Sequence, residues 1–171
     1  MPDTPCNIRL RALEPSDLEV LYIWENDPDV WRVSGTLSPI SRERLAHFIE
    51  EQSYDIYTTR QMRLIIEAED MIVGSLDIFD FDPQHRRLGI GILIYQDDYR
   101  RKGYAKEVIT EVVKYGRNTL DLKQIWATIA ADNIASIALF ESCGFTKCAH
   151  RKEWINRGGE FIDELEYQLI L

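Results

Sequence analysis

The sequence predicts an α/β fold in which a mixed, mostly antiparallel sheet of seven strands carries helices on both faces. Three observations predict it. Short runs near both ends of the chain alternate apolar with polar residues. Between Gln61 and Ile94 three such runs follow one another with only tight turns between them. Segments with apolar residues three and four apart separate the strands elsewhere. Period two marks strands lying on a sheet, and period 3.6 marks helices with one buried face. The resulting order is β-α-α-β-β-β-α-β-α-β-β, that of a sheet between helical layers.

Asn7-Ile8-Arg9-Leu10-Arg11-Ala12-Leu13 alternates and is the first strand. Pro15-Ser16-Asp17 opens a helix whose Leu18, Leu21, Tyr22 and Trp24 keep helical spacing, and Asn26-Asp27-Pro28 ends it. A loop from Asp29 to Pro39 leads to a second helix near Ser41. There Ser41 and Arg44 form an incomplete capping box ahead of the stripe Leu45, Phe48 and Ile49. Met62–Ala68, Met71–Phe79 and Arg87–Ile94 form an antiparallel meander, turned at Glu69-Asp70 and at Asp82-Pro83-Gln84-His85. A helix from Gly103 to Thr119 buries Ala105, Val108, Ile109, Val112, Val113 and Gly116. Gln124–Ile129 is a strand, and Asn133 to Ser142 is a shorter helix stopped by Gly144. The last two strands, Phe145–Arg151 and Phe161–Leu171, join through a hairpin at Asn156-Arg157-Gly158-Gly159.

A chain of 171 residues without repeat, low-complexity tract or linker reads as one domain, 1–171. Its net charge of −9 argues against a nucleic-acid backbone binder, which needs clustered Lys and Arg. The charge suits a cationic partner or serves solubility alone. No run approaches the roughly 20 apolar residues of a membrane span, and Met1-Pro2-Asp3-Thr4-Pro5 lacks the features of a secretory signal. Cys6, Cys143 and Cys148 are odd in number and without ligand spacing, the usage of reduced thiols in a cytoplasmic protein. His47, His85 and His150 fall on a helix, a turn and a strand with no partner at ligand spacing, so no metal is expected.

The most informative segment runs from Ile92 to Ala105. A strand enters a short loop carrying Arg100-Arg101-Lys102, then Gly103, and a long amphipathic helix starts at once. The first turn of a helix presents unpaired N–H groups at a positive dipole end, and a glycine there lets an anion approach the backbone. The segment is therefore either an anion cradle or a solvated basic loop at a helix start, and a short glycine motif alone does not separate the two.

Arg100-Arg101-Lys102-Gly103-Tyr104-Ala105 resembles the R/Q-x-x-G-x-G/A signature of GNAT acetyltransferases. Asn133-Ile134-Ala135-Ser136-Ile137-Ala138-Leu139-Phe140-Glu141-Ser142-Cys143-Gly144-Phe145 resembles the helix and turn that follow in that superfamily. Two motifs on the expected elements are far more specific than one, and the resemblance spans nearly the whole chain. Arg9-Leu10-Arg11, Trp24-Glu25-Asn26-Asp27 and Trp154 to Asp163 are similar to the branch acting on ribosomal-protein N-termini and on spermidine and other diamines. The resemblance implies a GNAT fold splayed near the middle of its sheet and an N-acetyltransferase that uses acetyl-CoA. Its partner would be a small-molecule amine or a peptide N-terminus. Ile92, Leu93 and Ile94 would pair with the pantetheine amides. Arg100, Arg101, Lys102, Gly103, Tyr104 and Ala105 would surround the pyrophosphate, and Asn133 and Ser136 would lie along the pantetheine arm. Trp31 would line the acceptor side, and an edge strand or the apolar end Tyr167–Leu171 would serve a homodimer.

Two helpers common among relatives are missing. Phe140 stands where a tyrosine often protonates the CoA thiolate, and Gly89 where a glutamate often relays the amine's proton. Ser136 is a substitute for the first role or a helix-surface residue. Asp77 and Asp80 are substitutes for the second, and an acceptor patch, or else a solvated strand end; alternation puts Asp80 and Asp82 on one face with Asp77 opposite. Gly74 and Gly91 would ease close packing. The competing class is a GNAT module that binds acyl-CoA without turnover; a Walker-type nucleotide site lacks its Gly-Lys-Ser/Thr.

Overall fold

The computed structural model describes residues 7–171, so Cys6 and the segment Met1 to Pro5 lie outside the described residues. The strands are β1 (Ile8–Ala12), β2 (Met62–Ala68), β3 (Met71–Asp82), β4 (Arg87–Ile94), β5 (Gln124–Ala130), β6 (Thr146–Arg157) and β7 (Glu160–Ile170). They form one sheet in the order β1-β2-β3-β4-β5-β7-β6. Every neighbouring pair is antiparallel except β4 with β5. The helices are α1 (Leu18–Glu25), α2 (Pro28–Ser34), α3 (Arg42–Glu51), α4 (Ile56–Thr59), α5 (Tyr104–Asn118) and α6 (Ile134–Ser142).

Adjacent residues of one strand show why helices cover both faces. Ile65 and Ile66 are both fully buried, yet they belong to different cores, as a period of two requires. Ile66 joins Leu76, Ile78, Leu88 and Ile90 beneath Val108, Ile109 and Val112 of α5 and Phe140 of α6. Ile65 joins Leu13, Leu21, Trp24, Leu45 and Ile49 beneath α1 and α3.

The expected elements stand at their expected places, with four differences, the simplest being that β6, expected to end at Arg151, runs on to Arg157. The segment expected as a loop from Asp29 contains α2: Asp27 accepts the Asp29 N–H at 2.9 Å, Pro28 takes the first helical position, and Gly35 closes the helix at φ 73°. Asp55 likewise caps α4, accepting from Tyr57 and Thr58. β3 continues to Asp82 across a bulge at Asp80, whose φ is 50°, so simple alternation beyond Phe79 does not hold. At the end of the chain Tyr167 is buried within β7, between β5 and β6, whereas Ile170 pairs with β5 alone and is exposed; the free edges of the sheet belong to β1 and β6. Among the described residues no helix is long and apolar enough to cross a membrane.

Candidate active site

The sheet comes apart in its middle. β4 and β5 pair at only three positions, Arg87 with Gln124, Leu88 with Ile125 and Gly89 with Trp126. Beyond them β4 continues to Ile94 alongside β3 alone, while β5 continues to Ala130 alongside β7 alone. In a strand, alternate N–H and C=O groups point to opposite neighbours, so from Gly91 to Ile94 half of them face the gap. Ile92, Leu93 and Ile94 all border this slot and are half-buried.

At the mouth of the slot the chain turns through a short 3-10 turn, Asp97–Tyr99, into α5. Gly103 is the N-cap of α5 at φ 87°, and nothing lies within 4 Å of where a Cβ would stand. Arg101 also has positive φ, 61°. A run of backbone N–H groups at a helix start, with open space before it, can hold a phosphate-like anion. The basic side chains are partly engaged in the loop itself. Arg100 donates to the carbonyls of Ile94 at 3.1 Å and Tyr95 at 3.3 Å and pairs with Asp97 at 2.7 Å. Lys102 lies over the Tyr99 ring at 5.3 Å. The Tyr104 side chain is buried with its hydroxyl donating to Glu69 at 3.2 Å, so only its backbone faces the loop, and Ala105 is half-buried. On the far side of the slot, Asn133 caps α6 by accepting the Ser136 N–H at 3.2 Å.

A cleft of about 360 Å³ opens on the α1 and α3 face and reaches Gly91, two residues past the last β4–β5 pair. Slot and cleft therefore meet at Gly91. Asp77 is the cross-strand partner of Gly91, but its two oxygens receive Nε and Nη2 of Arg63 at 2.5 and 2.9 Å. This corrects the expectation of a free base: the carboxylate is committed to a guanidinium, whose Nη1 also donates to Glu25. Asp80 sits on the exposed bulge. Asp82 turns away to accept the His85 N–H at 2.9 Å and to pair with Arg87, so the three aspartates form no common patch. Trp31 stands on α2 rather than in a loop, and its indole N–H donates to the Glu25 carbonyl at 2.6 Å. Tyr95, just past β4, donates to Asp27 at 2.8 Å and stacks near Trp24, fixing the α1–α2 corner over the strand end.

The two missing helpers have structural explanations. Phe140 is buried edge-on against Phe145, with ring centroids 5.0 Å apart, and serves the core. Gly89 lies under the ring of its cross-strand partner Phe79, and any Cβ there would run into that ring. Phe79 in turn packs edge-on against Trp126, centroids 5.2 Å apart. The ring fills the space a side chain at position 89 would need. Gly74 is restricted more severely, since a Cβ would strike the Leu93 carbonyl of the backbone; Gly91 has no such neighbour. Sequence reasoning gave no site role of their own to Arg63, Glu25, Phe48 and Gln52. The signal present was Arg63 itself, a charge in phase with the buried Ile65.

Comparison with known proteins gives the same picture. Residues 7–146 match the family described as Acetyltransferase (GNAT) domain. An uncharacterized N-acetyltransferase of Bacillus subtilis is 29% identical over 94% of this chain and 92% of its own. Spermidine N(1)-acetyltransferase of Vibrio cholerae is 26% identical over 91% and 88%. Among solved structures, spermidine N-acetyltransferase from Vibrio cholerae in complex with CoA and spermine superposes with a TM-score of 0.85, at 22% identity over 95% of both chains. A dodecameric structure of that enzyme gives 0.78, at 22% identity over 95% and 93%. These structures share the fold.

Proposed function

The chain belongs to the GNAT acetyltransferase family and is an acyltransferase, and on that premise we propose that it moves an acetyl group from acetyl-CoA to a primary amine by direct attack in a ternary complex. The observation that carries this reading is the meeting of slot and cleft at Gly91, with a glycine-opened helix start at the slot's mouth. In this reading the first-turn N–H groups of α5, with Arg101, Lys102, Gly103, Tyr104 and Ala105, hold the pyrophosphate. Arg100 braces the strand end through Ile94. Ile92, Leu93 and Ile94 pair with the pantetheine arm, and the amide nitrogen of Asn133, whose oxygen already caps α6, bonds it from the other side with Ser136 alongside. The backbone N–H of Ile94, which alternation turns toward the gap, stabilises the oxyanion.

The amine nitrogen attacks the thioester carbon, the C–S bond breaks, and the proton lost by nitrogen ends on the CoA thiolate. Ser136 is the hydroxyl on the slot side for that last transfer. A primary amine has a pKa near about 10, so about one molecule in a thousand is neutral at neutral pH. With Gly89 in place of a base and Asp77 held by Arg63, catalysis rests on orientation and oxyanion stabilisation. The expected signature is a kcat/KM that climbs about tenfold per pH unit below the amine's own pKa. Asp80, on the exposed bulge of β3, serves as a remote attraction for the incoming cation, and Trp31 as the wall that holds the end of α1.

CoA release from acetyl-CoA, screened over amines and peptides with free N-termini, tests the reading. Turnover lost in Gly103→Asp supports it. Binding of acetyl-CoA without any turnover would favour a non-catalytic module, a reading for which the absence of both common helpers speaks.

A further inference from the structure

The cleft beside Gly91 contains a buried cation where an amine-binding site would be expected to hold only carboxylates. Arg63 is 17% exposed, Glu25 16% and Asp77 38%. Burial works against the charge of Arg63, but Asp77 and Glu25 outweigh it and raise its pKa further. Its guanidinium also lies over the Phe48 ring, 5.2 Å from the centroid. Two carboxylates and one guanidinium leave one net negative charge. The rest of the polar lining, Ser34, Thr36, Gln52 and Gln61, is uncharged.

Gln52 adds an independent observation. Its Oε1 accepts the backbone N–H of Arg63 at 2.7 Å, which fixes the orientation of the amide. Its Nε2 is then buried with no acceptor. A buried donor left unpaired is unfavourable, and an uncharged oxygen brought by a ligand would satisfy it.

We propose that Arg63 sets the acceptor class: it cancels one of two cleft carboxylates, so that the site takes an acceptor with a single cationic amine and a neutral carbonyl or hydroxyl oxygen, and disfavours polyamines. This rests on the acetyl-transfer reading above. A peptide α-amine, an amino amide and an amino alcohol all carry that chemistry. A diamine or triamine keeps a further ammonium beside the Arg63 guanidinium even when its attacking amine is neutral, and it brings no oxygen for Gln52.

The test compares glycinamide, ethanolamine, a tripeptide with a free N-terminus, 1,4-diaminobutane and spermidine. Each is measured as kcat/KM with acetyl-CoA and by calorimetric binding to the CoA-loaded protein. The wild type should prefer the oxygen-bearing monoamines, and glycinamide against the tripeptide separates a small acceptor from a peptide. Arg63→Met should move the ratio of diamine to monoamine at least tenfold toward the diamine. Arg63→Met with Glu25→Gln restores one net negative charge and should return the ratio most of the way, which a merely structural role for Arg63 would not do. Should Arg63→Met fail to bind CoA, Glu25→Gln alone decides: it leaves the cleft neutral and should weaken every cationic amine about tenfold. Spermidine preferred by the wild type, or ratios unmoved in CoA-binding variants, would overturn the proposal. No turnover with any amine would sink the acetyl-transfer reading, while the calorimetric ratios would still judge Arg63.

Discussion

Gly89 and Phe79 act as one unit, since the strand can be bare at position 89 only because a ring from β3 covers it. Gly89→Ala should therefore lower stability by about 1–3 kcal/mol in urea unfolding, the usual cost of overpacking. Gly89→Glu alone should fold poorly and add no base. Gly89→Glu with Phe79→Ala should recover stability and flatten the pH dependence of kcat/KM, because a carboxylate then stands at the slot. The sequence announces the glycine but not its reason, since pairing Phe79 with Gly89 requires the β3–β4 register. Arg63 was hidden in the same way. Its charge is visible in the sequence, but Glu25 lies 38 residues before it, and only the packing of α1 on β2 brings the pair together.

The elements divide by how local their causes are. β2 and β4 were legible to the residue from alternation, and α5 to within one residue at each end from its apolar stripe and Gly103. α2 was missed because Asp27-Pro28 reads equally as the end of one helix and the start of the next. The bulge at Asp80 was missed because nothing in Phe79-Asp80-Phe81-Asp82 breaks the alternation. The parting of β4 from β5 entered only through resemblance to other proteins, for pairing length is a property of two strands together. It has a measurable consequence. The N–H groups of residues 91–94 that face the gap should exchange rapidly in the free protein and slow by at least tenfold with CoA bound, read by hydrogen exchange. Gly103→Ala, placed at φ 87°, should cost about 1–2 kcal/mol of stability. Gly103→Asp should in addition raise the CoA dissociation constant about tenfold by setting a negative charge in the cradle.

At the scale of the molecule, acid is the expected weakness. Burial pushes the Asp17 carboxyl up, but two hydrogen bonds from Arg11, at 2.7 and 2.8 Å, and the Glu14 N–H at 2.9 Å reverse that and hold its pKa below the ordinary value. Glu67 is lowered by Arg11 and Arg9, and Asp27 by the Tyr95 hydroxyl and the Asp29 N–H. A carboxyl lowered in the folded state contributes stability that is complete above its unfolded pKa, about 4, and is lost as pH falls through the folded value. The melting temperature should be flat from neutrality to about pH 5 and fall steeply below about pH 4. Asp17→Asn should be less stable at neutral pH and show a shallower acid limb. The meeting of β4 and β5 at three residue pairs gives the molecule a line of mechanical weakness. It runs between β1-β2-β3-β4 with the helices at the N-terminal end and β5-β7-β6. Pulled from its two ends, the protein should tear there first, and a molecule bound across the gap would act as a rivet. At a hundredfold excess over its dissociation constant such a ligand adds about 2.7 kcal/mol to the folded state. The rupture force measured with CoA present should rise accordingly, and in the acetyl-transfer reading the opening proposed to admit the substrate is then the place where substrate holds the protein together.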